Sequence, residues 1–480
     1  MKPSIPLQGR TQRPGEAGSA GARAWPASRP SAPLDFIRRV ATRRTLALAA
    51  ALLGLPTAPA LAQRDDPALM QSVEQRLPAL QERLVAWRRD IHAHPELSGQ
   101  EVRTAALVAE HLRRLGLEVT TGVGGHGVVG LLRGAKPGRT VALRADMDAL
   151  PVAEVTGLPF ASTARAVHMG QDSPVMHACG HDGHTAILMG VAEVLAGLRG
   201  QLAGNVKFVF QPAEEGVSEL PKSDQATWGA KAMVEQGALD GVDAMFGLHI
   251  APSLPVGTVG YRSGPLMAGA DSVRIQVTGR QTHGAAPWAG VDPIVAAAQI
   301  VTGLQTIVSR QLNIANEPAV LTIGEIHGGN RENIVPERVQ MAGTLRTFDE
   351  TMRSEAKRRI VATAQNIAAA SGAQAEVMFG PTAYPVTINP APLTEAALPV
   401  LRAVTGGQAV LIPKISASED FSEFQRKVPA FFYILGAVPP GKTPATAAPN
   451  HSPAFDFDEA AMPVGVRTLS ALALDFLARP

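Results

Sequence analysis

An α/β fold with a second, inserted α/β unit is what this sequence predicts, and two patterns carry the prediction. From Leu77 to Gly264, stretches with helical periodicity alternate with short apolar runs, which is the signature of a sheet with helices on its faces. The helical stretches are Leu77 to His92, Val102 to Leu115 and Thr185 to Leu198; the strands are Val128 to Leu132, Val141 to Leu143, Val206 to Phe210 and Ala244 to Leu248. Between about Ala268 and Pro381 the order changes. It becomes strand (Ser272 to Thr278), helix (Pro293 to Arg310), strand (Ala319 to His327), strand (Arg338 to Phe348), helix (Glu350 to Ala370) and strand (Ala375 to Phe379), a β-α-β-β-α-β unit of ferredoxin-like type. The remaining chain carries His451 and returns to the first unit. The predicted boundaries are 1–62 for an N-terminal extension, 63–267 and 382–480 for the two parts of the larger domain, and 268–381 for the insertion. About 418 residues lie beyond the extension, too many for one ordinary core.

The extension reads as an export signal. Arg43 and Arg44 precede an apolar run, Thr45 to Ala62, that ends in Ala60-Leu61-Ala62 before the polar Gln63-Arg64-Asp65-Asp66. This predicts cleavage near Ala62/Gln63 after Sec or twin-arginine export to the periplasm or medium, with no membrane anchor left; Pro56 and Pro59 disfavour a span. Residues Met1 to Pro33, rich in Pro, Ala, Arg and Gly, have no periodicity. The first 62 residues hold nine Lys/Arg against two acids, so removing that +7 from the whole-chain +2 leaves −5. The remaining protein therefore has no basic surplus with which to neutralise phosphates, and no nucleic-acid partner is expected.

One cysteine in 480 residues excludes a disulfide framework and a paired-cysteine zinc finger. Cys179 is then a buried hydrophobe, a nucleophile or a ligand. Its surroundings, Met-His-Ala-Cys-Gly-His-Asp-Gly-His, favour a ligand loop, in which an extended backbone would put Cys179 and His181 on one side. Glu214 and Glu215 follow a predicted strand, so one carboxylate can bind metal while its neighbour faces a reacting carbonyl. Thiolate, imidazole and carboxylate are donors for zinc and its neighbours, and together they suggest metal-assisted hydrolysis.

Several segments, in order, make the pattern specific. His-Ala-His-Pro-Glu-Leu-Ser-Gly-Gln-Glu (His92 to Glu101), Arg-Ala-Asp-Met-Asp-Ala-Leu-Pro (Arg144 to Pro151), the Cys179 loop, Gln-Pro-Ala-Glu-Glu-Gly, Ser-Glu-Asp-Phe (Ser418 to Phe421) and Asn-His-Ser-Pro-Ala-Phe-Asp resemble the M20 metallopeptidase family. Within it they are similar to the amidohydrolase branch of hippurate, N-acyl-amino-acid and auxin-conjugate hydrolases. The resemblance runs from about Leu77 to the C-terminus. It implies two divalent ions per chain (Zn, Mn, Co or Ni), bridged by Cys179 and completed by His181, Glu215, His249 and His451. It implies Glu214 as general base and acid, and the inserted domain as lid and homodimer contact. Asp146 stands where more distant relatives supply a histidine ligand, so Asp148 is cast as an orienting carboxylate. His283, in Thr-His-Gly-Ala-Ala-Pro-Trp, is implied as an oxyanion stabiliser acting across a dimer. Asn333 and Arg346 are candidates for the substrate carboxylate; His92 and His94 receive no metal role, and His177 and His184 are supporting or packing residues.

The expected substrate is an N-acyl amino acid or a short peptide. An exported dipeptidase or carboxypeptidase, a thiol hydrolase built on Cys179 and a non-catalytic binding protein stand as alternatives, and chelation separates metal from thiol chemistry. Gly122 to Gly127 satisfies G-x-G-x-x-G, but a strand follows it where a dinucleotide site needs a helix. No G-x-S-x-G elbow or Walker loop is present.

Overall fold

The central strands of the larger sheet run parallel, and the site stands at their carboxyl ends. A computed structural model describes residues 67–217 and 227–479, all within the unit Gln63–Pro480; the predicted leader, its cleavage point and the irregular stretch Met1 to Pro33 lie outside the described residues. In chain order the first elements are α1 (Pro67–Ala93), α2 (Val102–Arg114), β1 (Glu118–Val123), β2 (Gly127–Arg133), β3 (Lys136–Asp146), the small hairpin β4 (Arg165–His168) and β5 (Gln171–Pro174), α3 (His181–Ala196), β6 (Ala203–Gln211), α4 (Gly229–Glu235), β7 (Ala244–Ala251), β8 (Val259–Tyr261) and β9 (Gly264–Met267). The second unit comprises β10 (Gly269–Thr278), β11 (Thr282–His283), α5 (Pro293–Thr306), β12 (Ala319–Gly328), β13 (Ile334–Val335), β14 (Arg338–Thr347), α6 (Glu350–Ala370) and β15 (Gln374–Tyr384). The chain then adds β16 (Thr387–Asn389), α7 (Ala391–Val404), β17 (Ala409–Leu411), α8 (Phe421–Gln425), β18 (Ala430–Gly436) and α9 (Ala461–Ala478).

Eight strands form the larger sheet in the order β1-β2-β6-β3-β7-β18-β8-β17. The neighbours β6, β3, β7 and β18 pair in parallel, while β1/β2, β2/β6 and β18/β8 are antiparallel. From β3 the chain crosses to β6 on one side, and from β6 it crosses back to β7 on the other. That reversal leaves a crevice at the strand ends, the usual ligand position in open α/β sheets. Alternation along each strand builds a core on both faces. Val141, Leu143 and Ala145 of β3 join Phe208 and Phe210 of β6 beneath α1, α3 and α9, whereas Ala142, Val209 and Met245 meet Met233 of α4 and Phe421 and Phe424 of α8. Among the described helices only Ala461–Ala478 is long and apolar enough to cross a membrane, and it is a core helix, 72% buried.

The inserted segment forms a separate four-stranded antiparallel sheet, β12-β14-β10-β15, with α5 and α6 packed over it around Ile275, Ile300, Leu304, Met341 and Ile360. Both helices begin where local chemistry dictates. Asp292 caps α5 by accepting from the Ile294 and Val295 amides ahead of Pro293, and Asp349 caps α6 through Met352. The α-helix predicted to Arg310 stops at Thr306 and continues as a π-turn, Ile307–Gln311. The glycine-rich stretch before β2 is a hairpin turn in which Gly122, Gly124 and Gly125 take left-handed φ, so no helix N-terminus is present to hold a pyrophosphate.

Candidate active site and metal centre

Cys179 is the meeting point of two ligand groups. Its Sγ lies 3.3 Å from His249 Nε2 and 3.2 Å from His451 Nε2, and His451 Nε2 lies 3.0 Å from Glu215 Oε1. Two triads with ligand atoms within 4.8 Å of one another follow: Cys179, His181 and His249; and Cys179, Glu215 and His451. All five residues named as ligands from the sequence are thus brought together, with the thiol common to both triads.

The local backbone differs from the extended loop expected between Cys179 and His181. Gly180 is left-handed, at φ 102°, and His181 opens α3; this reversal, rather than strand alternation, turns both donors inward. Two non-glycine residues beside the centre are also left-handed, His451 at φ 68° and Ala213 at φ 52°. Such conformations persist where surroundings over-determine them. His451 N donates to Ala178 O at 2.7 Å and Asn450 Nδ2 to Cys179 O at 2.8 Å, which ties the distant segment to the cysteine loop.

Hydrogen bonds set the imidazoles. His181 Nδ1 lies 2.8 Å from Asp148 O and 3.3 Å from Asp148 Oδ1, while its buried Nε2 has no hydrogen-bond partner. His249 Nδ1 meets Ile250 O at 2.8 Å, leaving Nε2 toward Cys179. A donor set of one thiol, three imidazoles and a carboxylate, with a buried nitrogen that makes no hydrogen bond, fits divalent metal. Burial opposes charge on His181, but Asp146 and Asp148 outweigh it and hold the imidazole up to about 10. Burial, reinforced by Glu215 and Glu214, pushes the Cys179 thiol up. In the absence of a cation these surroundings favour the neutral thiol, which weighs against a thiol nucleophile; a bound metal inverts that logic. His184 is already saturated. Its Nδ1 meets Asp146 Oδ1 at 2.6 Å and its Nε2 accepts from Ile250 N at 2.7 Å, in keeping with the supporting role expected of it.

Glu214 and Glu215 lie in a turn beyond the end of β6, just after the left-handed Ala213, and take different partners. Glu215 faces His451, whereas Glu214 groups with Glu419 and Asp420 and also lies within reach of His181 and Glu215. Burial and the nearby Glu419, Glu215 and Asp420 carboxylates push the Glu214 carboxyl up, against the pull of Arg144. Asp148 accepts from Ser98 Oγ at 2.6 Å and from Glu215 N at 2.9 Å. Four residues given no role from the sequence hold this corner. Glu101 accepts from Ala213 N at 2.8 Å, Tyr384 donates to Glu214 O at 2.8 Å, and the amide of Asp420 donates to Glu214 Oε1 at 3.3 Å. Arg144, fully buried, donates to Asp146 at 2.7 Å and Glu419 at 2.8 Å. Glu101, Arg144 and Asp420 sit inside the motifs quoted above, so a signal for them existed; Tyr384 had none.

Cys179, Glu214, Glu215, His249 and His451 line a cleft of about 550 Å³ whose other walls include Leu254, Met267, Ile412, Ile415 and Ile434. Five residues expected at the site do not line it: Asp148 and His181, which are buried within the donor cluster, and His283, Asn333 and Arg346. His283 and Asn333 share a separate depression with Arg331, because the short β11/β13 pairing holds them together on the inserted unit. Arg346 spends a guanidinium hydrogen on Ser418 Oγ at 2.8 Å.

His92 belongs to a buried network behind the centre. Its Nδ1 lies 2.9 Å from Asp182 Oδ2 and its Nε2 3.2 Å from Glu154 Oε1, and Arg88 joins Asp182 at 3.0 Å, Asp456 at 2.8 Å and Glu459 at 3.2 Å. Burial opposes the His92 charge, but the two carboxylates raise it to about 9. A folded-state value above the ordinary ~6.5 contributes stability that is complete below that pH and lost as pH rises through about 9, on the order of 3 kcal/mol at ~1.4 kcal/mol per unit. Urea unfolding should therefore show His92→Gln clearly less stable than the parent at pH 6, with the gap narrowing by pH 9.5; a gap independent of pH would contradict the charged pair.

Buried carboxylates beside a clustered donor set at the ends of parallel strands make the site that of a metal-dependent amidohydrolase. The chain belongs to peptidase family M20/M25/M40, whose pattern matches residues 142–475. It is 40% identical over 412 residues to thermostable carboxypeptidase 2 of Saccharolobus solfataricus, covering 85% of this chain and 99% of that protein. It is 38% identical to the N-acetylcysteine deacetylase of Bacillus subtilis, covering 82% and 97%. Among solved structures, a dinuclear metal-binding M20 peptidase of Bacillus subtilis superposes with a TM-score of 0.69 at 37% identity, over 83% of this chain and 99% of that one.

Proposed function

We propose that this protein hydrolyses the amide bond of N-acyl amino acids, with Glu214 as the proton carrier. The observation that carries the reading is the place of Glu214: a buried carboxyl that lines the cleft between the His181/Glu215 donors and the Glu419/Asp420 pair. Cys179, His181, Glu215, His249 and His451 would hold two divalent ions. Ions held there would supply Lewis-acid polarisation of the amide oxygen and would lower the pKa of water toward ~7. Glu214, as the carboxylate, takes the proton of the attacking water and returns it to the departing amine nitrogen; surroundings that push its carboxyl up make it the stronger base, and bound cations would favour the ionised form in which it can accept. Asp148 holds His181 through Nδ1 so that Nε2 faces the donors. The apolar walls receive the acyl group or the amino-acid side chain. In this reading His283 and Asn333 act only from a second copy of the chain.

A panel of N-acetyl, N-benzoyl and longer N-acyl amino acids beside dipeptides, on protein reloaded with Zn, Mn, Co or Ni, tests the proposal. N-acyl amino acids should have the higher kcat/KM. Faster turnover of dipeptides would favour the peptidase alternative, which the name of the Saccharolobus relative also suggests.

A further inference from the structure

An N-acyl amino acid keeps a carboxylate beside the amide it loses, and a carboxylate is held best by a charge-assisted hydrogen bond. Among the described residues lining the cleft, three are acidic (Glu214, Glu215 and Glu419), and Lys414 is the single lysine or arginine. Its position is fixed by backbone. Ile412 N donates to Tyr261 O at 3.0 Å, Ile415 N to Leu266 O at 2.9 Å, and Arg262 Nε to Ile412 O at 2.9 Å, so Ile412-Pro413-Lys414-Ile415 is pinned on both sides of the lysine. Lys414 Nζ already holds a carboxylate, that of Glu317 in the loop before β12, and lies 5.4 Å from the centroid of the Phe348 ring. Both charged side chains are only partly exposed, 21% and 24%.

We propose that Lys414 is the specificity residue that binds the substrate's carboxylate, and that Glu317 is the internal carboxylate exchanged for it. The inference rests on the hydrolysis of N-acyl amino acids argued above. It moves carboxylate recognition within one chain from Arg346, which serves Ser418, to a lysine that lines the same cleft as Glu214. Glu317 comes from the inserted unit, so substrate entry loosens one tie between that unit and the cleft.

The test uses metal-loaded parent, Lys414→Met, Glu317→Gln and the double variant. The probes are the N-acyl amino acid of the panel with the highest kcat/KM and its C-terminal carboxamide, with release of the acyl acid as the readout. Lys414→Met should raise KM for the acid by about 10- to 100-fold, the worth of a hydrogen bond to a charged group, with kcat within about threefold and the carboxamide unchanged. Glu317→Gln should lower KM for the acid a few-fold. Equal effects of Lys414→Met on acid and carboxamide would overturn the assignment. So would recovery of parental KM in the double variant, since the uncovered Glu317 charge would then explain the loss. Absence of turnover of every N-acyl amino acid by the parent is a different failure: it overturns the functional reading, and this assignment with it.

Discussion

Replacing Glu214 by Gln should leave both metals bound and lower kcat by about 10²- to 10⁴-fold, the ordinary worth of general acid-base catalysis. The amide keeps the size of the side chain and can still accept from the Asp420 amide, which lies 3.3 Å from Glu214 Oε1, so the fold of this corner should persist. What it loses is the site for a proton. Glu215→Gln should fail differently, because Glu215 meets His451 at 3.0 Å and shares a triad with Cys179, and a neutral amide is a poorer donor to a divalent cation. Its protein should be depleted of metal and partly restored by excess. Metal analysis beside kcat distinguishes the two; a depleted Glu214→Gln and a loaded Glu215→Gln would reverse the assignments.

Cys179→Ala should remove more than any other single ligand change. The thiol is the one donor common to both triads, so its loss should take metal content well below two ions per chain, weaken binding by more than ~100-fold, and reduce activity to that of chelated protein. Cys179→Ser, with a harder oxygen donor, should retain part of both. Alkylation of the chelated parent should proceed slowly, since burial and the Glu215 and Glu214 carboxylates keep the thiol protonated. Full activity after exhaustive chelation would refute the metal centre outright.

Elements whose information is local were legible from the chain. The helix from Glu350 to Ala370 and the start of the helix at Pro293 coincide with prediction, because periodicity and an Asp cap one residue earlier act within a few positions. The apolar run Ala430–Gly436, buried at every residue, was not assigned from the sequence; the structure makes it β18, a strand inside the larger sheet. The three ligand types were likewise visible, since few chemistries combine one thiol, several histidines and paired glutamates in short motifs of this kind.

The order of donors around Cys179 was decided by tertiary structure. Residues 179, 215, 249 and 451 meet because parallel strands β6, β3, β7 and β18 stack their carboxyl ends side by side, and a left-handed Gly180 reverses the chain at the first of them. Tertiary structure also placed Glu101, Tyr384, Arg144 and Asp420 around Glu214, set Lys414 against Glu317, and carried His283 and Asn333 to a different surface. The sequence by itself determined the elements and the kinds of donor, because hydrophobic period, capping and side-chain chemistry act locally. Which donors share a site, which carboxyl is pushed up and which cation faces the cleft depended on contacts between residues hundreds of positions apart, where burial and charge act through space.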